Sequence, residues 1–336
     1  LCFFVPFVDK FFYSKNRDPT YKVQMDPNQL QNFGAALLSA GLIAAVPLLL
    51  AALGETVAER AGLLNLGLEG MLLSGAFTGF YVALNSHSML AGLGAGVAIG
   101  LLLGLLFGLL TITLRVDQVV SGLGITLLAE GTTGFLFRDF YGQGFPTLSL
   151  TTARLALPFL SDLPILGPAL FNQQWVVYLT WLLVIGFAFG LARTRFGLEI
   201  RAVGESPLAA DAAGINVFKI RYLTIMIGGT MAGLGGAFLS VADLNFFVPG
   251  MTVGQGFIAI AIAMLGNWRP YRVFIGAVLF GLLRSLANGL QIIGVDLRPE
   301  FILMLPYLGI IVALVLLAGR TTLPAALGVP YERGQK

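Results

Sequence analysis

Apolar runs separated by short polar turns make up most of this chain. A helix needs about 20 consecutive apolar residues to cross a bilayer. Nine segments approach that length: 33–54, 65–84, 89–114, 119–137, 175–192, 222–242, 251–266, 273–291 and 301–319. Strand-like alternation in segments of about ten residues is absent, which excludes an outer-membrane barrel. The expected fold is all-α, a polytopic integral membrane protein of about nine transmembrane helices, some short or broken. A truncated tenth is expected if LCFFVPFVDKFF, too short to span, is the end of a helix; otherwise it is an interfacial segment. Pro47 and Pro306 fall inside the first and last runs, the former as an expected kink. Segment 251–266 is marginal in length and begins with Gly254 and Gly256, so it is expected to cross tilted or partly broken.

The polar intervals divide the chain into an N-terminal arm at 1–32, a transmembrane domain at 33–320 and a tail at 321–336. Within the domain, 138–173 is a mixed, proline-rich segment read as an external loop with short interfacial helices. Segment 193–221 is the only long charged interval in mid-chain. It carries Arg193, Arg195, Arg201, Lys219 and Arg221, which places it in the cytoplasm by the excess of basic residues on that side. Alternation then puts Arg60, Arg115, the turn NWRPYR (267–272) and the tail on the same side. The loops expected outside, 85–88, 138–173, 243–250 and 292–300, hold only Arg138, Arg154 and Arg298. The arm is expected outside too, against the preference of Lys10, Lys15, Arg17 and Lys22.

Inside the charged interval, GESPLAADAAGI (204–215) has the grammar of a short helix. Ser206 is a cap, Pro207 suits a first turn, LAADAA favours helix, and Gly214 is a stop in the left-handed style. It reads either as a plain connector or as a helix that docks on another protein. Its alanines, which let a second surface approach closely, favour docking.

Composition sharpens the membrane reading. Apolar residues make up 57% of the chain and charged residues only 11%, against about 25% charged in soluble proteins. The 43 glycines suit close helix packing, and Gly92, Gly96, Gly100, Gly104 and Gly108 form a ladder. A single cysteine, Cys2, and a single histidine, His87, exclude a disulfide framework and any multi-Cys or multi-His metal site. The net charge of +3 mainly reports sidedness, and no nucleic-acid partner is expected. Nothing matches GxxxxGK[ST], so the chain is not itself an ATPase. AGLGG (232–236) lies in an apolar run, lacks the lysine, and reads as packing. Glu69, Glu130 and Arg284 are charges inside apparent spans, fitting either function or structural pairing.

GETVAERAGLLNLGLEGMLLSGAF (54–77), VDQVVSGLGITLLAEG (116–131), IRAVGESPLAADAAGINVFKIR (200–221) and GNWRP (266–270) together resemble the permease subunits of bacterial ABC importers. The likeness spans about residues 33–320 and is nearest to the branch for simple sugars, nucleosides and riboflavin, and more widely branched-chain amino acids. Around Glu55 and Asn65 it looks most like the shorter permease of nucleoside-type two-permease systems.

The resemblance implies a transport subunit of the bacterial inner membrane that works by alternating access. It implies a second permease (a heterodimer favoured over a homodimer), two cytosolic ATP-binding subunits or domains, and an extracytoplasmic substrate-binding protein. ATP and Mg would be handled by those partners, with no cofactor in this chain. It assigns coupling to the ATPase to Gly204, Glu205, Ser206, Pro207, Ala209, Ala210, Asp211, Gly214, Ile215 and Asn216.

For the translocation pathway the candidates are Asn65, Glu69, Gln118, Asn245 and Phe246. Each has a structural alternative: Asn65 a helix cap, Gln118 and Asn245 helix-to-helix hydrogen bonds, Phe246 an interface anchor. Polar but mostly uncharged residues point to an uncharged, hydrogen-bonding solute, with a nucleoside first and sugars, riboflavin or branched-chain amino acids as alternatives. The rival class is an ion-coupled secondary transporter, which would use Glu69 and Glu130.

Overall fold

The computed structural model describes residues 27–142, 144–150, 152–156, 161, 166–293, 298–317 and 322–332. The expected arm up to residue 26, with Cys2 and any tenth helix, lies outside these residues, as do 294–297, 318–321 and 333–336.

The chain opens with α1 (Pro27–Arg60), α2 (Leu68–Ser86), α3 (Met89–Gly108, continued by a π turn Leu109–Thr113) and α4 (Gln118–Tyr141). A polar excursion follows with β1 (Arg154–Ala156), α5 (Leu166–Leu170) and β2 (Asn172–Gln174), the two strands pairing antiparallel with Leu155 opposite Gln173. Then come α6 (Trp175–Arg193), α7 (Arg195–Glu205), α8 (Pro207–Ala212) and α9 (Val217–Phe238, continued by a π turn Leu239–Asp243). The last four are α10 (Gln255–Leu265), α11 (Pro270–Ile293), α12 (Pro299–Leu303) and α13 (Leu305–Leu317).

Among the described residues, six helices are long and apolar enough to cross a membrane: Gln31–Arg60, Met89–Thr113, Gln118–Tyr141, Trp175–Arg193, Val217–Asp243 and Pro270–Ile292. The expected nine crossings, or ten, are therefore corrected to six. The three segments that drop out do so for physical reasons. Helix α2 has 19 residues but carries Glu69 in its first turn and ends in Asn85 and Ser86, so it is less apolar than the six. Helix α10 has only 11 residues, because the chain before it is held in left-handed backbone at Val253 and Gly254. The final run breaks between α12 and α13, and Pro306 stands at the second residue of α13. A proline there costs no hydrogen bond, so it opens a helix. Run length alone does not show where polar residues or backbone breaks interrupt a helix.

Helix α9 is the centre of the bundle and packs against α3, α1 and α2, while α1 also supports α11 and α10. The glycine ladder of α3 meets α9 directly. A Cβ on Gly100 would stand 2.2 Å from the Gly229 carbonyl oxygen, and one on Gly233 would stand 2.1 Å from that of Gly96. No real Cβ tolerates such distances, so glycine is what lets these two backbones touch.

Packing gathers distant segments at the two ends of the bundle. At one end the residues 322–332 fold back as a strap. Ala326 N–H donates to Gly204 O at 2.9 Å and Gly328 N–H to Gly62 O at 3.1 Å. The buried Arg221 donates to Val329 O at 3.1 Å, and Arg115 pairs with Glu332 at 2.5 Å. Tyr331 packs on Phe218 with ring centroids 5.5 Å apart. At the other end, Leu148 N–H donates to Asn245 O at 2.7 Å and Gln174 reaches Ala242 O at 3.1 Å. The first end carries Arg60, Arg115, Arg201, Arg221 and Arg269 and is called the basic end below.

Candidate functional site

The turn between α1 and α2, residues 61–67, runs through the protein interior, where every backbone polar group needs a partner. Asn65 is fully buried and organises it. Its N–H donates to the Glu55 carboxylate at 3.0 Å, its side-chain oxygen accepts Gly67 N–H at 3.0 Å, and its amide contacts Met71 sulfur at 3.4 Å. The Gln118 side-chain oxygen accepts Leu64 N–H at 2.7 Å. Glu59, four residues after Glu55, accepts the indole N–H of Trp268. Asn65 and Gln118 thus lie inside packed protein and close a backbone turn.

Glu69 is 5% exposed, and its carboxylate holds the start of α10. It accepts the Thr252 hydroxyl at 2.5 Å, Gly254 N–H at 2.9 Å and Gly256 N–H at 2.6 Å. These donors surround Val253, a β-branched residue at φ 47°, a conformation such residues adopt only under constraint. The carboxylate supplies that constraint and satisfies N–H groups at the helix start. Glu69→Ala would strand three donors at about 1–3 kcal/mol each. Purified variant protein should lose about 3–5 kcal/mol of stability, read as a lower melting temperature in detergent.

The charged interval forms a double helix-turn at the basic end. Thr194 caps α7 by accepting Gly197 N–H at 3.1 Å, and Gly204, its penultimate residue, is buried against Arg60, whose carbonyl oxygen would lie 1.9 Å from an added Cβ. Glu205 is exposed. Ser206 accepts Ala209 N–H at 3.3 Å, Pro207 takes the first position of α8, and the helix ends with Gly214 at φ +84°. Gly214 N–H reaches Asp211 O at 2.9 Å and Ile215 N–H reaches Ala210 O at 3.0 Å. Asn216 then caps α9 by accepting Lys219 N–H at 3.0 Å. Ala210 is 3% exposed and anchors α8, whereas Leu208 is 48% exposed and, with Ala209, points away from the bundle.

At the opposite end, Asn245 sits in left-handed backbone at φ 60°, and Phe246 bridges to Thr147. Phe247 is buried among Phe77, Phe80 and Phe137, with centroids 5.3 to 6.4 Å away. Beside this cluster a cavity of about 360 Å³ is lined by Phe137, Arg138, Gly142, Phe145 and Pro249. Helix α4 runs from this cavity toward the basic end with one face packed on α2 and the other uncovered. The uncovered face holds Leu123, Leu127, Glu130 and Arg138.

A family model described as the branched-chain amino acid transport system / permease component matches residues 37–317. The chain belongs to this permease family. It is 44% identical to the permease protein TsgC13 of Haloferax volcanii, assigned provisionally to a glucose ABC transporter, over 80% of this chain and 82% of that one. It is 38% identical to the guanosine ABC transporter permease protein NupQ of Bacillus subtilis, over 89% of this chain and 97% of the relative. It is 36% identical to the nucleoside ABC transporter permease protein NupC of Lactococcus lactis, over 88% and 96%. No solved structure matches the chain. It is a multi-pass membrane protein and the permease subunit of an ABC importer, not itself catalytic. Such a system implies a partner permease, an ATPase and a substrate-binding component.

Three features of the permease escape a reading of its sequence. Helix α7 hides in what reads as a charged interval, although Phe196, Ile200 and Val203 recur at helical spacing on its inner side. The strap reads in sequence only as a polar tail. The uncovered face of α4 emerges only when the opposite face is seen packed on α2.

Proposed function

We propose that the permease carries an uncharged, hydrogen-bonding solute of the nucleoside type along the uncovered face of α4, driven by an ATPase docked on α8. The observation that carries the pathway is Glu130. It lies midway along a 24-residue apolar helix and is exposed, with Leu127 67% exposed one turn away. A carboxylate at that depth facing lipid would cost about 3 kcal/mol or more. This face therefore meets water or a partner subunit. Its upper end opens on the cavity between Phe137, Phe145 and Arg138, and about 360 Å³ falls in the range of small-molecule sites. Flat aromatic walls suit a base, and two of the relatives above are named for guanosine and nucleosides.

The remaining assignments follow from the same geometry. The basic end lies in the cytosol, where basic residues accumulate. Its protruding α8, with residues 204–216, couples to one of two cytosolic ATP-binding subunits. Gly124 and Gly131 beside large apolar residues on α4 suit close approach of a second permease, a different chain being favoured. A binding protein delivers substrate to the end that carries the aromatic cavity. Asn65, Glu69 and Gln118 act behind the pathway by fixing the helices that frame it, and Asn245 and Phe246 shape its outer mouth.

Uptake in vesicles holding the complete importer tests the pathway. Glu130→Ala should cut guanosine uptake about tenfold or more, while Leu182→Ala, 64% exposed on α6 and away from the proposed path, should leave it unchanged. Normal uptake by the Glu130 variant would remove α4 as the path. Competition by unlabelled glucose as strong as that by guanosine would remove the nucleoside assignment.

A further inference from the structure

A recess at the basic end is built mostly from residues that the transport reading does not use, and shares only Glu205 with the proposed coupling segment. It has a volume of about 410 Å³ and lies between the end of α1, the outer side of α7, the turn before α11 and the start of the strap. Arg60, Arg201 and Arg269 converge on it, and their charges, with that of Glu205, act on one another. One carboxylate offsets one of the three cations. Among the described residues, none of these three guanidinium groups lies within ion-pair distance of an acid. Arg201 uses one N–H on Gly197 O in its own helix, and Arg269 uses one on the Tyr271 hydroxyl. Among the described residues, their other N–H groups make no hydrogen bond, so they remain open to a ligand.

The floor is held in a costly conformation. Asn267 and Trp268 are successive non-glycine residues in left-handed backbone, at φ 50° and 53°. Such strain persists only where the surroundings enforce it. Here Trp268 is 2% exposed and bonded to Glu59, and Asn267 is met by the Thr322 hydroxyl at 3.5 Å. The strained turn places Arg269 in the same recess as Arg201 and as Arg60, which ends a membrane helix.

We propose that this recess binds a phosphate group, carried either by an anionic phospholipid at the cytosolic membrane surface or by a soluble phosphate. Guanidinium forks match phosphate oxygens two at a time, and three of them around one cavity specify that geometry over a simple point charge. Basic pockets at the cytoplasmic ends of transmembrane helices hold lipid headgroups by this chemistry. Thr322 and Asn267 add neutral polar groups to the lining. Bound phosphate would tie α1, α7 and the strap together beside the proposed coupling helix.

The test uses the purified full chain in nanodiscs of phosphatidylcholine alone or with phosphatidylglycerol, and in detergent with inorganic phosphate. Melting temperature is the readout. Phosphatidylglycerol, inorganic phosphate or both should raise it by about 3 °C or more in the parent protein. The shift should disappear in R201Q/R269Q, a pair of exposed side chains whose loss leaves the buried Trp268–Glu59 contact intact. A shift with lipid alone assigns the recess to a headgroup, and a shift with inorganic phosphate to a soluble anion. Equal shifts in parent and variant, or none in the parent, would overturn the proposal. So would a variant that keeps the phosphate response and loses only its ATPase, which would mark the recess as a socket for an acidic protein segment. Arg60→Gln gives a second, independent variant should the double one fail to fold.

Discussion

Gly100→Leu should leave almost no assembled permease, whereas Gly94→Leu, in the same helix, should express like the parent. A Cβ at position 100 would meet Gly229 O at 2.2 Å and Gly233 Cα at 2.9 Å. Both are backbone atoms of α9, so relief requires the two helices to separate. Overpacking that side chains alone can absorb costs about 1–3 kcal/mol; a shift of backbone against backbone costs more. It would also strip contacts from α9, on which α1, α2 and α3 all pack. Gly94 faces away, with nothing within 4 Å of an added Cβ. Fluorescence-detected size exclusion of tagged protein should show a monodisperse peak about tenfold or more weaker for the first variant only. Equal peaks would mean that the ladder is not what holds α3 to α9.

Leu208→Asp should abolish uptake with the fold unchanged. Leu208 is half exposed on α8 and belongs to no core cluster, so nothing in the isolated permease depends on it. In the proposed complex it enters a groove on the ATPase, and burying an aspartate there without a partner costs several kcal/mol. The variant should melt within about 1 °C of the parent. ATPase recovered with it should fall about tenfold or more, and uptake with it. Full recovery of the ATPase would sink the docking assignment. Gly214→Val, which forces a β-branched residue to φ +84°, should weaken docking through the shape of the same turn.

Local chemistry was legible in the sequence, and pairing across the chain was not. Ser206, Pro207 and Gly214 announce α8 because capping and chain reversal are decided within a few residues, and the structure starts and stops the helix on them. The α3 ladder was legible for the same reason, since its spacing is the helix repeat. Glu69 shows the limit. Its partner Thr252 lies 183 residues on, so no local pattern distinguishes a pathway acid from one that braces a loop. Glu59 and Trp268, 209 apart, are similar. The count of crossings failed because an apolar run does not show where it will be cut: Glu69 and the polar end of α2 lower its hydropathy, left-handed backbone shortens α10, and the break before Leu305 shortens α13. The uncovered face of α4 is a property of its neighbours.

The strap has a consequence for the order in which the protein is made. Glu332 reaches an arginine 217 residues earlier in the chain, and at ribosomal rates of about 5–20 residues per second that partner waits roughly 10 to 45 seconds. Until the strap is made, the α1–α2 turn, the end of α7 and Arg221 also lack, from their own synthesis on, the acceptors and donors it supplies. The surface beside α8 is therefore finished last. A nascent permease with all six spanning helices emerged still lacks its completed basic end until synthesis has passed residue 332.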